Sequence, residues 1–460
     1  MLVDRDQEMS ALEREFRSKT AAFTVIYGRR RLGKTRLITE FCKGKRAIYF
    51  LATEENEKEN MLLFQRCIAK FAGNNALLKG PSLDDWGLLF DVVADLATQD
   101  ERLIVAIDEF QYLGLANKAF PSILMREWDQ KLSGKNIMLI LCGSLIRMMK
   151  SQTLNYSSPL YGRRTSQIRL RQIPFHYYHE FAPGLSRDDL IQRYAVTGGV
   201  PRYAEIFDER TPLMEQVRDL ILSPSSFLYN EPEFLLGKEV SEIGNYFSVL
   251  KSIAAGDRKL GKISSSLRVV QTSLTKYLAT LEELDLVERE VPVTEENPSR
   301  SKRGLYRIKD NFMQFWFRFV YPYKDLLETG QSDYVFKHLQ ERFIVNHCSY
   351  VYEDICREHV LWNLASAFGL DRIGHWWGVG DIEIDICGYD STGENMLFGE
   401  CKYSSSPKGV EVLHELRRKA KYVPWKAQTR KELFVLYSRA GFTDELRQMA
   451  EDDHSVILAE

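Results

Sequence analysis

Paired cysteines, a long apolar run and a dominant sign of charge are all missing from this chain. Its seven cysteines are odd in number and include no C-x-x-C pair. That excludes a disulfide framework and fits reduced thiols in a reducing compartment. Cys42, Cys67 and Cys142 lie in apolar segments and are expected in the core. No apolar stretch approaches the ~20 residues that span a bilayer. The start, Met-Leu-Val-Asp-Arg-Asp-Gln-Glu, has no apolar region of a secretory signal. A cytoplasmic location with no membrane partner is therefore expected. Lys and Arg number 62 against 64 Asp and Glu, a formal net charge of −2. Nucleic-acid binding by overall charge is excluded, so any such contact needs a local patch. His176-Tyr-Tyr-His179-Glu180 lacks the spacing of a zinc-protease helix, and nothing nearby completes a ligand set. It is expected to open a helix entered through Pro174. With 44% hydrophobic and 27% charged residues over 460 positions, the chain can build sizeable cores in two to four domains.

One motif stands out. Gly28-Arg29-Arg30-Arg31-Leu32-Gly33-Lys34-Thr35 spells G-x-x-x-x-G-K-T directly after the apolar run 23–27. A strand that ends in such a loop and restarts as a helix presents consecutive backbone N–H groups, and the positive end of a helix dipole, to a polyphosphate. Gly28 and Gly33 let the backbone wrap phosphates, Lys34 reaches the β- and γ-phosphates, and the Thr35 hydroxyl ligates Mg²⁺. The expected cradle for ATP runs from Gly28 to Arg36.

Two further strand ends complete this pattern. Leu103-Ile-Val-Ala-Ile107 reads as a buried parallel strand ending in Asp108-Glu109. Adjacent carboxylates there are costly unless they meet a cation or a reacting water. Asp108 is assigned to the Mg²⁺ shell and Glu109 to the attacking water. Ile137–Cys142 is a third apolar run, and Ser144 just beyond it is the candidate γ-phosphate sensor. Arg163, in the polar loop Tyr161-Gly-Arg-Arg164, is the candidate arginine for transition-state charge, acting within its own chain or on a neighbour.

Together with Val3-Asp-Arg5-Asp-Gln-Glu8, Ala106-Ile-Asp-Glu-Phe110 and Gly198-Gly-Val-Pro-Arg202, these residues resemble the archaeal and bacterial AAA-type ATPases. Those P-loop proteins carry a C-terminal domain of unknown function related to PD-(D/E)XK nucleases. The resemblance runs over essentially the whole chain. It implies an α/β additional-strand core with strand order 5-1-4-3-2 and a helical lid. It also implies that Gly199-Val-Pro201 senses the nucleotide, with Arg202 close to the phosphates.

From about Glu242 the pattern changes. Helices are expected at 247–255 and 263–267, then over 271–284, where Leu274, Tyr277, Leu278, Leu281 and Leu284 share one face. A β-hairpin follows from Leu286 to Ile308. Three helices and a hairpin make a winged helix-turn-helix. Gln271, Thr272, Ser273 and Lys276 would face DNA, and Arg300, Lys302 and Arg303 at the hairpin tip would meet phosphates. Helical spacing marks the aromatic run 312–323 as a buried connecting helix.

The last third holds a second constellation. Asp381, Glu383 and Asp385 alternate with Ile382, Ile384 and Ile386, so acids and isoleucines take opposite faces of a strand. Glu400 and Lys402, two apart on the next strand, also share a face. Pairing these strands brings Asp385, Glu400 and Lys402 together, where two carboxylates and the Cys401 carbonyl suit Mg²⁺ and the lysine suits a scissile phosphate. This arrangement resembles the PD-(D/E)XK nuclease core, although the proline of the first motif is absent. Glu353 matches that family's frequent extra acid. A basic helix at 410–422 and further strands near 433–437 and 456–458 follow in the same order.

The expected organisation is a P-loop ATPase core at 1–172, a helical lid at 173–240, a winged helix-turn-helix at 241–310, a connecting helix at 311–335 and a restriction-endonuclease-like α/β domain at 336–460. The expected activity is Mg²⁺-dependent ATP hydrolysis acting on or regulated by DNA, with a metal-dependent nuclease tail. The alternative is a nucleotide-controlled regulatory switch that binds DNA or protein and whose nuclease-like domain is a catalytically silent docking surface. A second protomer or a protein partner could complete the ATPase site.

Overall fold

Three runs, Ala22–Tyr27, Leu103–Asp108 and Ile137–Gly143, have no residue open to solvent along their whole length. Strands this apolar must be covered on both faces, which an α/β sheet with flanking helices provides. The computed structural model describes residues 2–378, 380 and 382–459. It divides into two compact units: Met1–Ile173 with Val200–Tyr203 and Gly237–Ser241, and Pro174–Gly199 with Ala204–Leu236 and Glu242–Glu460.

In the first unit the strands are β1 (Ala22–Tyr27), β2 (Ala47–Leu51), β3 (Leu103–Asp108), β4 (Ile137–Gly143) and β5 (Ser166–Arg169). Their order is β2-β3-β4-β1-β5 and every pair is parallel. This is the 5-1-4-3-2 order implied by the family resemblance. Because β4 lies between β1 and β3, with Tyr27 opposite Gly143 and Ile107 opposite Leu141, the C-terminal ends of the three strands meet at one edge. Loops at that edge of an open parallel sheet form the usual ligand crevice.

The second unit starts with short helices and Arg187–Thr197, whose N-terminus is capped by Ser186 accepting from the Asp189 N–H at 3.2 Å. Helices Ile243–Ala254, Leu260–Leu267 and Gln271–Glu283 follow, then the antiparallel pair β6 (Val287–Glu290) and β7 (Leu305–Ile308). The aromatic segment is not one helix. It runs as Asn311–Phe319, a 3₁₀ turn at Tyr321–Tyr323 and Lys324–Glu328, then resumes at Ser332–Phe343. Pro322 supplies no N–H to continue the helix, and Gly330 takes φ +81°. Its rings are core: Phe312, Phe315, Trp316, Phe317 and Phe319 are buried, and the Trp316 indole donates to the Tyr229 carbonyl at 2.8 Å.

The unit ends in a mixed sheet of β8 (Arg372–Trp377), β9 (Glu383–Tyr389), β10 (Asn395–Lys402), β11 (Lys431–Ser438) and β12 (Val456–Ala459), ordered β12-β11-β10-β9-β8. β8 to β10 pair antiparallel, and β10 to β12 pair parallel. Helix Val410–Ala420 packs Leu413 and Leu416 into the core of this sheet with Phe398 and Phe434. Among the cysteines, Cys142 is buried, whereas Cys42 and Cys67 are only partly covered.

Candidate functional site

β1 stops at Tyr27 and helix Lys34–Cys42 starts seven residues on, leaving a turn with three unusual backbone conformations, at Gly28, Arg31 and Gly33. Gly28 has φ +157°, and a Cβ there would meet the Leu170 carbonyl oxygen at 2.5 Å. Gly33 has φ +87° with nothing within 4 Å of a Cβ position, so the space beside the turn there is open. Lys34 is buried, and its Nζ donates to the carbonyls of Gly28 at 2.8 Å and Arg29 at 2.7 Å. Burial holds this ammonium below its ordinary pKa, opposed by Cys142, Glu109 and Asp108. Arg29 and Leu32 are buried, Arg31 takes φ +68°, and Arg36 is exposed. Arg30 donates to the Tyr112 hydroxyl at 2.8 Å. Arg5 is buried and donates to the carbonyls of Leu32 (3.4 Å) and Arg171 (2.8 Å), fastening the turn to the chain beyond β5.

The ends of β3 and β4 face this turn. Asp108 is fully buried; its Oδ2 accepts from Thr35 Oγ1 at 2.6 Å and from the Tyr49 hydroxyl at 2.8 Å. Burial, then Asp108, pushes the Tyr49 phenol above its ordinary pKa. Glu109 takes φ +53°, a conformation that a non-glycine residue holds only when its surroundings enforce it. Its N–H donates to Asp108 Oδ1 at 2.9 Å, and its Oε2 accepts from Ser144 Oγ at 2.7 Å and from Gln111 Nε2. Tyr49 and Gln111 escaped sequence reasoning, and Arg5 was named only within the opening motif, without a role. Only Gln111 had a usable signal, two residues beyond the acidic pair.

Arg163, the candidate arginine for transition-state charge, stands elsewhere. β5 pairs Ser166 with Thr24 and Arg169 with Tyr27. Arg163 therefore precedes the start of β5, at the sheet edge opposite the phosphate turn. The strand between those edges spans about 10 Å. Its guanidinium is ion-paired with Asp129 at 2.8 Å.

Val200–Tyr203 and Gly237–Ser241 belong to the first unit although their flanking chain belongs to the second. In the latter segment Glu239 Oε1 accepts the N–H of Ile146, just beyond Ser144, at 2.8 Å. Burial raises this carboxyl, and the backbone N–H groups of Ile146 and Arg147 oppose the shift. Arg202 is exposed and has no hydrogen bond or ion pair among the described residues.

In the second unit, helix Gln271–Glu283 buries Leu274, Leu278 and Leu281 and leaves Gln271, Thr272 and Lys276 exposed, with Ser273 partly covered. In the β6–β7 turn, Arg300 and Lys302 are exposed with no side-chain partner among the described residues, while Arg303 pairs with Glu295 at 3.0 Å. The hairpin is bound to the C-terminal sheet. The Val293 N–H donates to the His375 carbonyl at 2.8 Å, and Arg307 bridges Glu290 (3.0 Å) and Asp354 (2.7 Å). Burial alone would raise the Glu290 carboxyl, but His375, Arg307 and Arg357 hold it well below the usual carboxylate range.

Ile386 pairs with Gly399 across the antiparallel β9–β10 ladder, so Asp385 sits opposite Glu400. Asp381, expected on the same face, lies outside the described residues. Burial first and Glu400 second raise the Asp385 carboxyl to about 7. Glu353, on helix Ser349–His359, is raised by burial and by Asp385. Asp385, Glu400 and Glu353, expected to hold Mg²⁺ with the Cys401 carbonyl, lie within electrostatic reach of one another, and among the described residues no group of three or more His, Cys, Asp or Glu is arranged to hold a metal ion. Glu400 is instead taken up by two ammonium groups, Lys402 at 2.6 Å and Lys419 at 2.9 Å. Asp385 Oδ2 accepts the Cys401 N–H at 2.8 Å. His176 and His179 are exposed and likewise belong to no metal-binding group among the described residues.

A glycine-bounded turn after β1, an acidic pair at the end of β3 and a strand inserted between them define a P-loop ATPase core of the additional-strand type. The chain belongs to a family of archaeal and bacterial proteins with such an ATPase domain. It is 33% identical over 428 residues, 92% of either chain, to the uncharacterized protein MJECL04 of Methanocaldococcus jannaschii. Residues 2–207 match the ATPase domain found predominantly in Archaea, and residues 316–415 match a domain of archaeal and bacterial proteins of unknown function. A shorter relative in that organism, the uncharacterized ATP-binding protein MJ0423, is 44% identical over 46 residues, 10% of this chain and 78% of that one. Among solved structures, the Walker-type ATPase PABY2304 of Pyrococcus abyssi aligns with a TM-score of 0.52 at 20% identity, covering 69% of this chain and 96% of that one. That likeness is one of fold. No helix among the described residues is long and apolar enough to cross a membrane.

Proposed function

We propose that this protein hydrolyses MgATP and that its nucleotide state governs an action on, or a response to, DNA. The observation that carries the reading is the convergence of Lys34, Thr35, Asp108, Glu109 and Ser144 at one sheet edge. The open space at Gly33 and the turn's closely spaced amides suit a triphosphate, and the Thr35 hydroxyl beside Asp108 suits Mg²⁺. When bound, Mg²⁺ neutralises charge on the phosphate oxygens. Lys34 would exchange its two carbonyl acceptors for phosphate oxygens. Glu109 would orient and polarise the attacking water, with Ser144 and Gln111 fixing its carboxylate. Val200–Tyr203 would report occupancy to the rest of the chain.

DNA enters through the three helices and hairpin at 243–308, read as a winged helix. Exposed Gln271, Thr272 and Lys276 stand at the start of its third helix, and Arg300 and Lys302, without a side-chain partner among the described residues, stand at the hairpin turn. The second reading, a switch with a catalytically silent tail, is favoured by the two lysines on Glu400. One experiment separates them: ATP hydrolysis with and without single- and double-stranded DNA, with strand integrity followed in the same tube. DNA-stimulated turnover with Mg²⁺-dependent cutting supports an ATP-controlled nuclease. Turnover without cutting supports the switch, and turnover indifferent to DNA removes DNA as its partner.

A further inference from the structure

Beside the hairpin of the second unit lies a cleft of about 860 Å³. Lys259 and Lys262 line it at the start of helix Leu260–Leu267, Arg289 from β6, Lys302 and Arg303 from the hairpin turn, and Trp377 from the end of β8. Among the described residues that line it there is no carboxylate, although Glu295 is paired with Arg303 and Glu383 stands opposite Trp377 across the β8–β9 ladder. In a chain of net charge −2, five cations around one concavity, only Arg303 of them ion-paired with a carboxylate among the described residues, make a local positive field. Arg289 is engaged in shape: it donates to the carbonyls of Pro298 (2.9 Å) and Ser301 and holds the turn folded. Lys259, Lys262 and Lys302 are exposed and have no ion-pair partner among the described residues.

Trp377 supplies a second kind of contact. Its ring is partly exposed, with no ring contact or hydrogen bond among the described residues. The adjacent Trp376 differs: it is buried, and its indole donates to Thr294 Oγ1 at 3.1 Å.

We infer that this cleft binds a single-stranded stretch of nucleic acid, with the lysines on its phosphates and a base stacked on Trp377. The charge calls for a polyanion, and the indole narrows the choice. Bases inside a duplex are stacked on each other and offer no face to a protein ring, whereas unpaired bases do. A concave, cation-lined cleft with an aromatic wall tracks one strand; duplex reading uses elements that protrude into a groove. The inference rests on the reading of this chain as a DNA-acting protein but uses residues other than Gln271 to Lys276.

The test is fluorescence anisotropy of a labelled oligothymidylate and a labelled hairpin duplex titrated with the full chain. Trp377→Ala is expected to weaken oligothymidylate binding about tenfold, with Trp377→Phe recovering most of it and guarding against a folding defect. Lys262→Glu with Lys302→Glu should flatten the salt dependence of single-strand binding by a slope of about 1.4. Gln271→Ala with Lys276→Glu should weaken duplex binding alone. Wild-type single-strand affinity in both Trp377→Ala and Trp377→Phe overturns the inference. So does duplex binding without oligothymidylate binding, which leaves the winged-helix reading standing, whereas binding to neither DNA removes both.

Discussion

Ser144 donates a 2.7 Å hydrogen bond to Glu109, so the residue at the end of β4 holds the carboxylate at the end of β3. Glu109 also sits at φ +53°, which costs on the order of 1 kcal/mol or more and needs such restraint. Ser144→Ala is expected to lower kcat for ATP about tenfold to a hundredfold and to leave KM nearly unchanged, since Ser144 touches the base rather than the phosphate turn. Steady-state hydrolysis checks it; a rise in KM alone would move Ser144 from positioning Glu109 to binding nucleotide.

The buried Lys34 ammonium satisfies two carbonyls of its own turn while burial works against its charge. Lys34→Met is therefore expected to cost little stability without nucleotide. The same change should abolish stabilisation by MgATP, which at a hundredfold excess over Kd amounts to about 2.7 kcal/mol. Thermal unfolding with and without MgATP reads both effects.

Arg163 is bound to Asp129 at an exposed site. Arg163→Ala should cost less than about 1 kcal/mol. ATP turnover per chain should stay unchanged in dilute protein, where chains do not meet. Loss of turnover there would return Arg163 to its own chain's active site.

Asp385 gives a pH signature. Its carboxyl ionises near 3.8 when unperturbed and at about 7 in the fold. The folded state thus binds its proton more tightly, and this contribution to stability is complete below about pH 4 and lost as pH rises through about 7. Asp385→Asn should gain on wild type by roughly 1.4 kcal/mol per pH unit across that window, up to a few kcal/mol. Denaturant unfolding at about pH 5 and about pH 8 measures the trend. A variant that loses ground as pH rises would mean that the ionised form is the stabilised one.

What could be read ahead of the structure was contiguous in the chain. The phosphate turn is eight consecutive residues that follow a fully buried strand and lead into a helix. Each function there depends on local backbone and on neighbours along the sequence. The alternation around Ile384 and Ile386 is equally local, and both isoleucines are buried on β9. Pro322 was equally visible, but its consequence for the aromatic segment was overlooked.

The remainder depended on which elements came to lie side by side. Nothing near Tyr49 in the chain marks it as a partner of Asp108; adjacency of β2 and β3 makes it one. Arg163 looked suited to catalysis by residue type, yet the parallel register of β5 on β1 sets it at the far edge of the sheet. Strand alternation put Glu400 and Lys402 on one face, but Lys419 reaches the same carboxylate only because helix Val410–Ala420 crosses β10. The order of residues alone therefore determined the turn, the strand faces and the phosphate-gripping chemistry. Tertiary packing decided which charges face which, because ion pairing depends on separation in space, and separation along the chain does not set it.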